Sequence, residues 1–344
     1  MRLSDARHRV PPRQRRLLSG LIGSGLALLL LTLLSLATGL HGLDLAGTRA
    51  ALFAYDPGNS DHLLVRHLQV PRTLAAILVG AALGVAGVLM QALTRNPLAD
   101  PGLLGVNAGA SAAVATVVAL FGITEIGGQM LAGLLGAGLA GLAVLLLGGL
   151  RQGHDPVRLV IAGTALSAVL LALTQIITVN SDTPVFEQFR HWAVGSLQGR
   201  GYDVLPPLAL LTALGLVLAL SLARSLDALV LGRELGQTLG TRPRLIWCLA
   251  AATLTLLTGV ATAAAGPIVF IGLTAPHMAR FFTGPNHRWL LPCTLILAAV
   301  LMLAADTLGR LVARPGEVSV GIMAALIGGP FFVALVRRGG RIAL

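Results

Sequence analysis

The sequence predicts an all-α polytopic membrane protein of about ten transmembrane helices, and three observations carry that expectation. Its 344 residues are 55% hydrophobic and 11% charged, with a mean hydropathy of +0.83, a balance that water-soluble globules do not have. Apolar runs at 17–40, 73–94, 103–121, 129–150, 159–179, 204–223, 245–264, 267–282, 289–309 and 318–336 approach the roughly 20 residues that a spanning helix needs. Threading these spans from an inside N-terminus places 18 of the 25 arginines on inside segments and 7 outside, the bias of cytoplasmic loops. Both termini are basic, so an even number of spans follows. The formal charge of +11 then reads as orientation signal and attraction to anionic lipid, in preference to nucleic-acid binding.

Residues 1–16 form a basic cytoplasmic tail, and 17–344 are expected to make one transmembrane domain. The first apolar run is too long, and lacks the small-residue cleavage site, for a cleaved signal peptide. After the second run comes QALTRNPLADPGLLGVNAGAS at 91–111. Asn96-Pro97 and Asp100-Pro101 each push the residue before proline out of helix, while Gly102, Gly105 and Gly109 let the backbone return to close packing. The expectation is a chain broken and redirected in a defined shape at a membrane surface; an ordinary loop between two helices would use the same residue types. Gly80, Gly84 and Gly87, then Gly133, Gly136, Gly138 and Gly141, are spaced to let helix backbones approach.

From Arg224 to Arg244 the chain reads RSLDALVLGRELGQTLGTRPR, its leucines interrupted by Gly232, Gly236 and Gly240. That spacing suits short amphipathic helices at the cytoplasmic surface, resting on lipid headgroups or offered to a partner. The run at 267–282 is short and holds Pro276 and His277, so it is either a span or a re-entrant segment; broken helices are tolerated where protein covers the freed backbone. Asp306 is the one carboxylate inside a predicted span, and Arg310 stands four residues on, spaced to pair along one helical face. An ion-coupled secondary transporter usually shows ionisable groups near mid-membrane, and this peripheral acid makes that function a remote alternative. The chain has no lysine, which excludes a G-x-x-x-x-G-K-[ST] phosphate loop and a lysine Schiff base. Cys248 and Cys293 lie in apolar runs and read as small hydrophobes. The eight histidines are scattered without ligand spacing, so neither a metal site nor a membrane enzyme is expected.

Several long stretches resemble one family: NPLADPGLLGVNAGAS at 96–111, Trp192 followed by Gly195-Ser196-Leu197, LVLGRELGQTLG, AGPIVFIGLTAPHMAR at 265–280 and the closing VGIMAALIGGPFFVALVRR. They look like the permease subunits of type II ABC importers, which take up ferric siderophores, haem and cobalamin. The likeness runs through essentially the whole chain after the tail, and 88–111 is most similar to the ferric-enterobactin permeases.

The resemblance implies a ten-helix subunit of the bacterial inner membrane with both termini cytoplasmic. It would pair with a second permease copy or paralogue around a translocation path. Two cytoplasmic ATPase subunits would use ATP and magnesium, and a periplasmic binding protein would deliver the ferric-siderophore cargo. This subunit would bind no cofactor and have no catalytic residue. A cytoplasmic gate is implied at Asn96 and Leu98 and in the loop from His154 through Pro156 to Arg158. The coupling segment maps onto 226–241, with Leu231, Gly232, Arg233, Glu234, Gly236, Leu239 and Gly240 facing the ATPase. Gly236 stands where the family more often has alanine, a change that loosens a helix by about 1 kcal/mol. Binding-protein docking is implied for Arg72 and Arg310, with Arg314 beside them, and for Arg66 in place of the family's first arginine, which is Gln69 here. Thr164, Ser167, Thr174 and Thr178 put hydroxyls on a helix expected to face the path, though such groups also hold helices together. Cobalamin or haem is the alternative cargo within the same architecture.

Overall fold

The computed structural model describes residues 12–38, 45–148, 156–230, 242–313 and 315–337, and helices account for most of them. Ten helices answer to the ten predicted runs: α1 Pro12–Ala37, α4 Val70–Thr94, α5 Val106–Phe121, α6 Ile126–Leu147, α7 Pro156–Val179, α9 Leu205–Val230, α10 Pro243–Ala265, α11 Ile271–Thr283, α12 His287–Val312 and α13 Val320–Arg337. Three shorter ones, α2 Leu45–Phe53, α3 Ser60–Leu64 and α8 Thr183–Ala193, lie in the connections. Among the described residues eight helical stretches are long and apolar enough to cross a membrane, and α5 is a shorter apolar helix. At 1.5 Å per residue α11 reaches only about 20 Å, short of the hydrocarbon core.

At the centre stands α4, which packs against α9, α10, α11 and α12. Its glycines explain how. A Cβ on Gly80 or Gly84 would collide with α12 at Ala298, and one on Gly87 would overlap the carbonyl of Gly272 on α11. The three lie on one helical face, so two neighbouring backbones approach along a single groove. Gly136 does the same against Gly109 of α5, and Gly133 and Gly141 against α10, whereas Gly138 faces open space. The three packed positions of α6 therefore fulfil the small-residue expectation and the fourth does not.

Where α4 ends, Arg95 takes a left-handed conformation, φ 49°, and Asn96-Pro97 prevents the helix from resuming. The chain is broken and redirected there, as the residues at 91–111 led us to expect, but it does not stay at the bundle's end. It climbs back inside. The 3-10 turn Pro101–Leu104 packs against α7, where a Cβ on Gly163 would strike the Leu103 carbonyl; Gly163 lies seven residues into α7, about 10 Å from its start. Helices α4, α5, α6, α7 and α10 all pack on this turn and provide the protein cover that non-helical backbone requires.

A second break separates α10 from α11. Gly266 has φ 76° and sits against the Trp192 carbonyl, where a side chain has no room, and Phe270 is left-handed at φ 68°. The Ala265 carbonyl is taken by the N–H of Ser196 at 2.7 Å, and the Gly195 carbonyl by that of Gly321 at 3.0 Å. The break is thus stitched to the α8–α9 connection and to the start of α13. The alternatives left open for 267–282 resolve as a short helix entered through extended backbone.

Gly87→Ala is expected to lower thermal stability in detergent by about 1–3 kcal/mol or to prevent assembly, since backbone must move to admit the methyl. Gly138→Ala, with nothing within reach, is expected to leave the unfolding temperature unchanged or slightly raised.

Candidate functional site

The helix ends that carry Thr94, Pro156 and Val230 share one end of the bundle, the arginine-rich one. There the implied gate residues take defined places. Asn96 is exposed, and its Oδ1 accepts the N–H of Leu98 at 3.0 Å in an Asx turn. Leu98 is half-buried. Two residues on, the Asp100 carboxylate accepts the N–H of Gly102 at 2.8 Å and faces that of Phe270. One side chain therefore bridges both helix breaks. Pro156 opens α7 and Arg158 is exposed on its first turn; His154 lies outside the described residues. Beside the turn, the Arg280 guanidinium donates to Gln91 Oε1 at 2.6 Å, and Thr262 donates to Asn107 Oδ1 at 2.8 Å. Sequence reasoning did not single out Asp100 for this role, because its partner at Phe270 is far away along the chain.

The coupling residues Leu231, Gly232, Arg233, Glu234, Gly236, Leu239 and Gly240 all lie outside the described residues. The flank is informative. Positions 226–230, assigned to the coupling segment from sequence, belong to α9: Leu226 is fully buried and Asp227 is bonded to His287.

On α7 three of the four hydroxyls are buried or half-buried. Thr174 and Thr178 are buried, and Thr174, Thr178 and Ser167 donate to the carbonyls of Leu170, Thr174 and Gly163 on their own helix. Only Thr164 is exposed, and it too donates within the helix, to Val160. The exposed residues of α7 include Ala165, Ala168, Ala172 and Gln175 together with the large apolar Ile161, Val169, Leu171, Leu173 and Ile176.

At the opposite end the docking arginines divide. Arg72 donates through Nε and Nη2 to Asp306 at 3.0 and 2.8 Å and through Nη1 to Glu317 at 2.7 Å. Arg310 pairs with Asp306 at 3.1 Å, as the i, i+4 spacing led us to expect, and its guanidinium also donates to the carbonyls of Ser35 and Thr38 at the end of α1. The two arginine side chains are 13% and 10% exposed and Asp306 is fully enclosed. These arginines are committed inside the chain, which leaves them little surface for a partner. Gln69 is buried as well. Arg66 is exposed, stacked 4.5 Å over the Tyr55 ring, with its carbonyl held by the Tyr202 hydroxyl. It sits on a π turn, Val65–Gln69, that shifts register just before α4. Arg200 is buried, and desolvation pushes its guanidinium down to about 10 against the raising effect of Asp203. Arg314 lies outside the described residues. Among the described residues no group of three or more His, Cys, Asp or Glu is arranged to hold a metal ion.

Comparison with known proteins places this geometry. The FecCD transport family model matches residues 27–338. The ferric enterobactin transport system permease protein FepD of Escherichia coli (strain K12) is 44% identical over 321 residues, covering 92% of this chain and 95% of that protein. The hemin transport system permease protein HmuU of Yersinia pestis is 38% identical, covering 79% of this chain and 82% of that one. A solved structure described as an inward-facing conformation of a metal-chelate type ABC transporter superposes with a TM-score of 0.81 at 28% identity, over 92% of this chain and 98% of that one.

Arg72→Ala strips the main partner from a buried carboxylate and is expected to cost about 3 kcal/mol, the lower end of the range because Arg310 remains. Thermal unfolding of the purified protein measures it, and an unchanged melting temperature would remove the network from its structural role.

Proposed function

The chain belongs to the FecCD transport family, as a multi-span inner-membrane permease subunit of an ABC importer and not an enzyme, and from that premise we propose that it carries a ferric siderophore of the catecholate, enterobactin-like class. The observation that carries the cargo assignment is the near-full-length likeness to the enterobactin permease. The likeness to the hemin permease supports haem as the second reading, and cobalamin is the third arm of the test.

In this reading the arginine-rich end, with both termini, faces the cytoplasm, and the cargo moves from periplasm to cytoplasm by alternating access between this subunit and a second permease, identical or paralogous. Two ATPase subunits hydrolyse ATP with magnesium and seat on the segment 231–241. A periplasmic binding protein delivers the cargo. The constriction on the cytoplasmic side is formed by Asn96 and Leu98 with the start of α7: an amide and a branched apolar group close a pore by packing and give a charged chelate nothing to bind. The re-entrant turn supports that role, since Asp100 ties it to the α10–α11 break and a shift of either moves the other. The uncharged face of α7, with Thr164, Ala168 and Gln175, lines the path. Docking of the binding protein is assigned to Arg66 on the periplasmic side, where it is exposed; the burial of Arg72 and Arg310 weighs against those two.

Two measurements test this. Uptake of labelled iron by cells with and without the gene, offered as ferric enterobactin, a ferric hydroxamate or haem, with labelled cobalamin in parallel, is expected to lose ferric enterobactin selectively; selective loss of haem or cobalamin overturns the cargo and keeps the architecture. Arg66→Glu is expected to weaken binding-protein docking at low salt, with the difference shrinking above ~0.1 M as screening sets in. A loss independent of salt would point to misfolding and remove Arg66 from the docking surface.

A further inference from the structure

The helix α12 is held at both of its ends by charged contacts. Its 26 residues span about 39 Å at 1.5 Å per residue. At the periplasmic end stand Asp306 and Arg310, bound to Arg72 of α4 and to the end of α1. At the cytoplasmic end the contact comes from α9. Asp227 Oδ1 accepts the backbone N–H of His287 at 2.9 Å and its Nδ1 at 2.7 Å. A carboxylate can only accept, so the imidazole carries its proton on Nδ1. Asp227 thereby caps α12 from another helix, satisfying one of the first orphan N–H groups and setting negative charge at the positive end of the helix dipole. The helix already has its own cap, Asn286, which accepts from Arg288 N–H at 3.0 Å. The added carboxylate is thus more than a helix start needs.

Its position gives the reason. Asp227 lies three residues before Val230, where α9 ends and the segment proposed to seat on the ATPase begins. Because the intervening chain is helix, a displacement of that segment reaches Asp227 without slack. His287 is buried while the Asp227 side chain is 33% exposed, so the imidazole side of the contact is shielded from the solvent screening that weakens fully exposed pairs.

We infer that Asp227 is a positioning residue for energy coupling: through His287 it ties the ATPase-facing end of α9 to α12, and α12, continuous as a helix past Pro292, carries the displacement to the periplasmic network around Arg72. The inference rests on the reading of this chain as an importer permease. A demonstrated coupling between the two ends, and not their mere connection in space, is what establishes such a route.

The experiment uses the complete transporter reconstituted in liposomes, with the binding protein loaded with ferric enterobactin, and reads the ratio of stimulated to basal ATP hydrolysis and the iron moved per ATP. Asp227→Ala is expected to assemble in normal yield and to lower both ratios about tenfold, within the range of coupling between distant sites. Asp227→Asn keeps an oxygen that accepts from both donors and is expected to restore most of the loss. Adding Glu317→Gln, which loosens Arg72 at the far end, is expected to make Asp227→Ala no worse, whereas independent effects would multiply. Full stimulation in Asp227→Ala, a loss that Asp227→Asn does not restore, or multiplied losses in the double variant would each overturn the inference. If Asp227→Ala fails to assemble, His287→Ala removes only the imidazole bond; it is expected to lower the ratios to an intermediate level, and an undiminished ratio overturns the inference. A wild-type transporter that no loaded binding protein stimulates defeats the importer reading itself, and that result appears before any variant is made.

Discussion

The Asp100 carboxylate joins the two places where the chain abandons helix inside the bundle. Backbone N–H and C=O groups within an apolar surrounding must find partners inside the protein, and breaks at 95–105 and 266–270 set several of them free. Asp100 accepts the N–H of Gly102 and faces that of Phe270. Phe270 holds a left-handed conformation without glycine's freedom, and such strain persists only where the surroundings over-determine it. The rest follows from that junction. α5 and α11 are short because extended backbone covers part of their depth, and α4 needs Gly87 because the first turn of α11 is drawn against it.

The charged network at the far end solves a different problem. Burying Arg72, Arg310, Asp306 and Glu317 together keeps the formal charge balanced, and each guanidinium spreads its donors over carboxylates or helix-end carbonyls. Desolvation makes such a cluster a poor source of net stability relative to apolar packing, but a severe loss when one member is removed. Its effect is to fix where α1, α4, α12 and the connection before α13 meet. That architecture also separates two kinds of arginine that the sequence presents alike: those spent on the fold, and Arg66, held out on its π turn by Tyr55 and Tyr202.

How much of this could be read in advance depended on distance along the chain. Spans were legible because apolar length needs no tertiary information, and the pairing of Asp306 with Arg310 because it is local. The glycine spacing in α4 announced a close-packed face. The role of Arg72 was not legible, since Asp306 lies 234 residues away, and neither was that of Asp100, which the prolines beside it disguised as turn chemistry. The inward climb of 96–105 escaped for the same reason: Pro and Gly state that a helix stops, and only packing states where the chain then goes. The hydroxyls of α7 carry two readings in the sequence because Thr and Ser in a helix are as readily satisfied by the carbonyl four residues back, the bond all four make here.

Cargo choice is the least legible property, and the physics explains why. A path that must release what it admits is built to bind weakly, and between Ile161 and Ile176 α7 exposes alanines and branched apolar residues with one threonine and one glutamine. Such a surface discriminates by shape and by a few polar contacts, each contributing little. Relatives named for enterobactin and for hemin share this scaffold almost end to end, so what separates their cargoes is confined to a small number of side chains or to the protein that presents the cargo. The most rigidly specified parts of the chain, the Asp100 turn and the Arg72 network, are fixed by backbone satisfaction and charge balance within the fold, and those requirements are the same whatever the cargo.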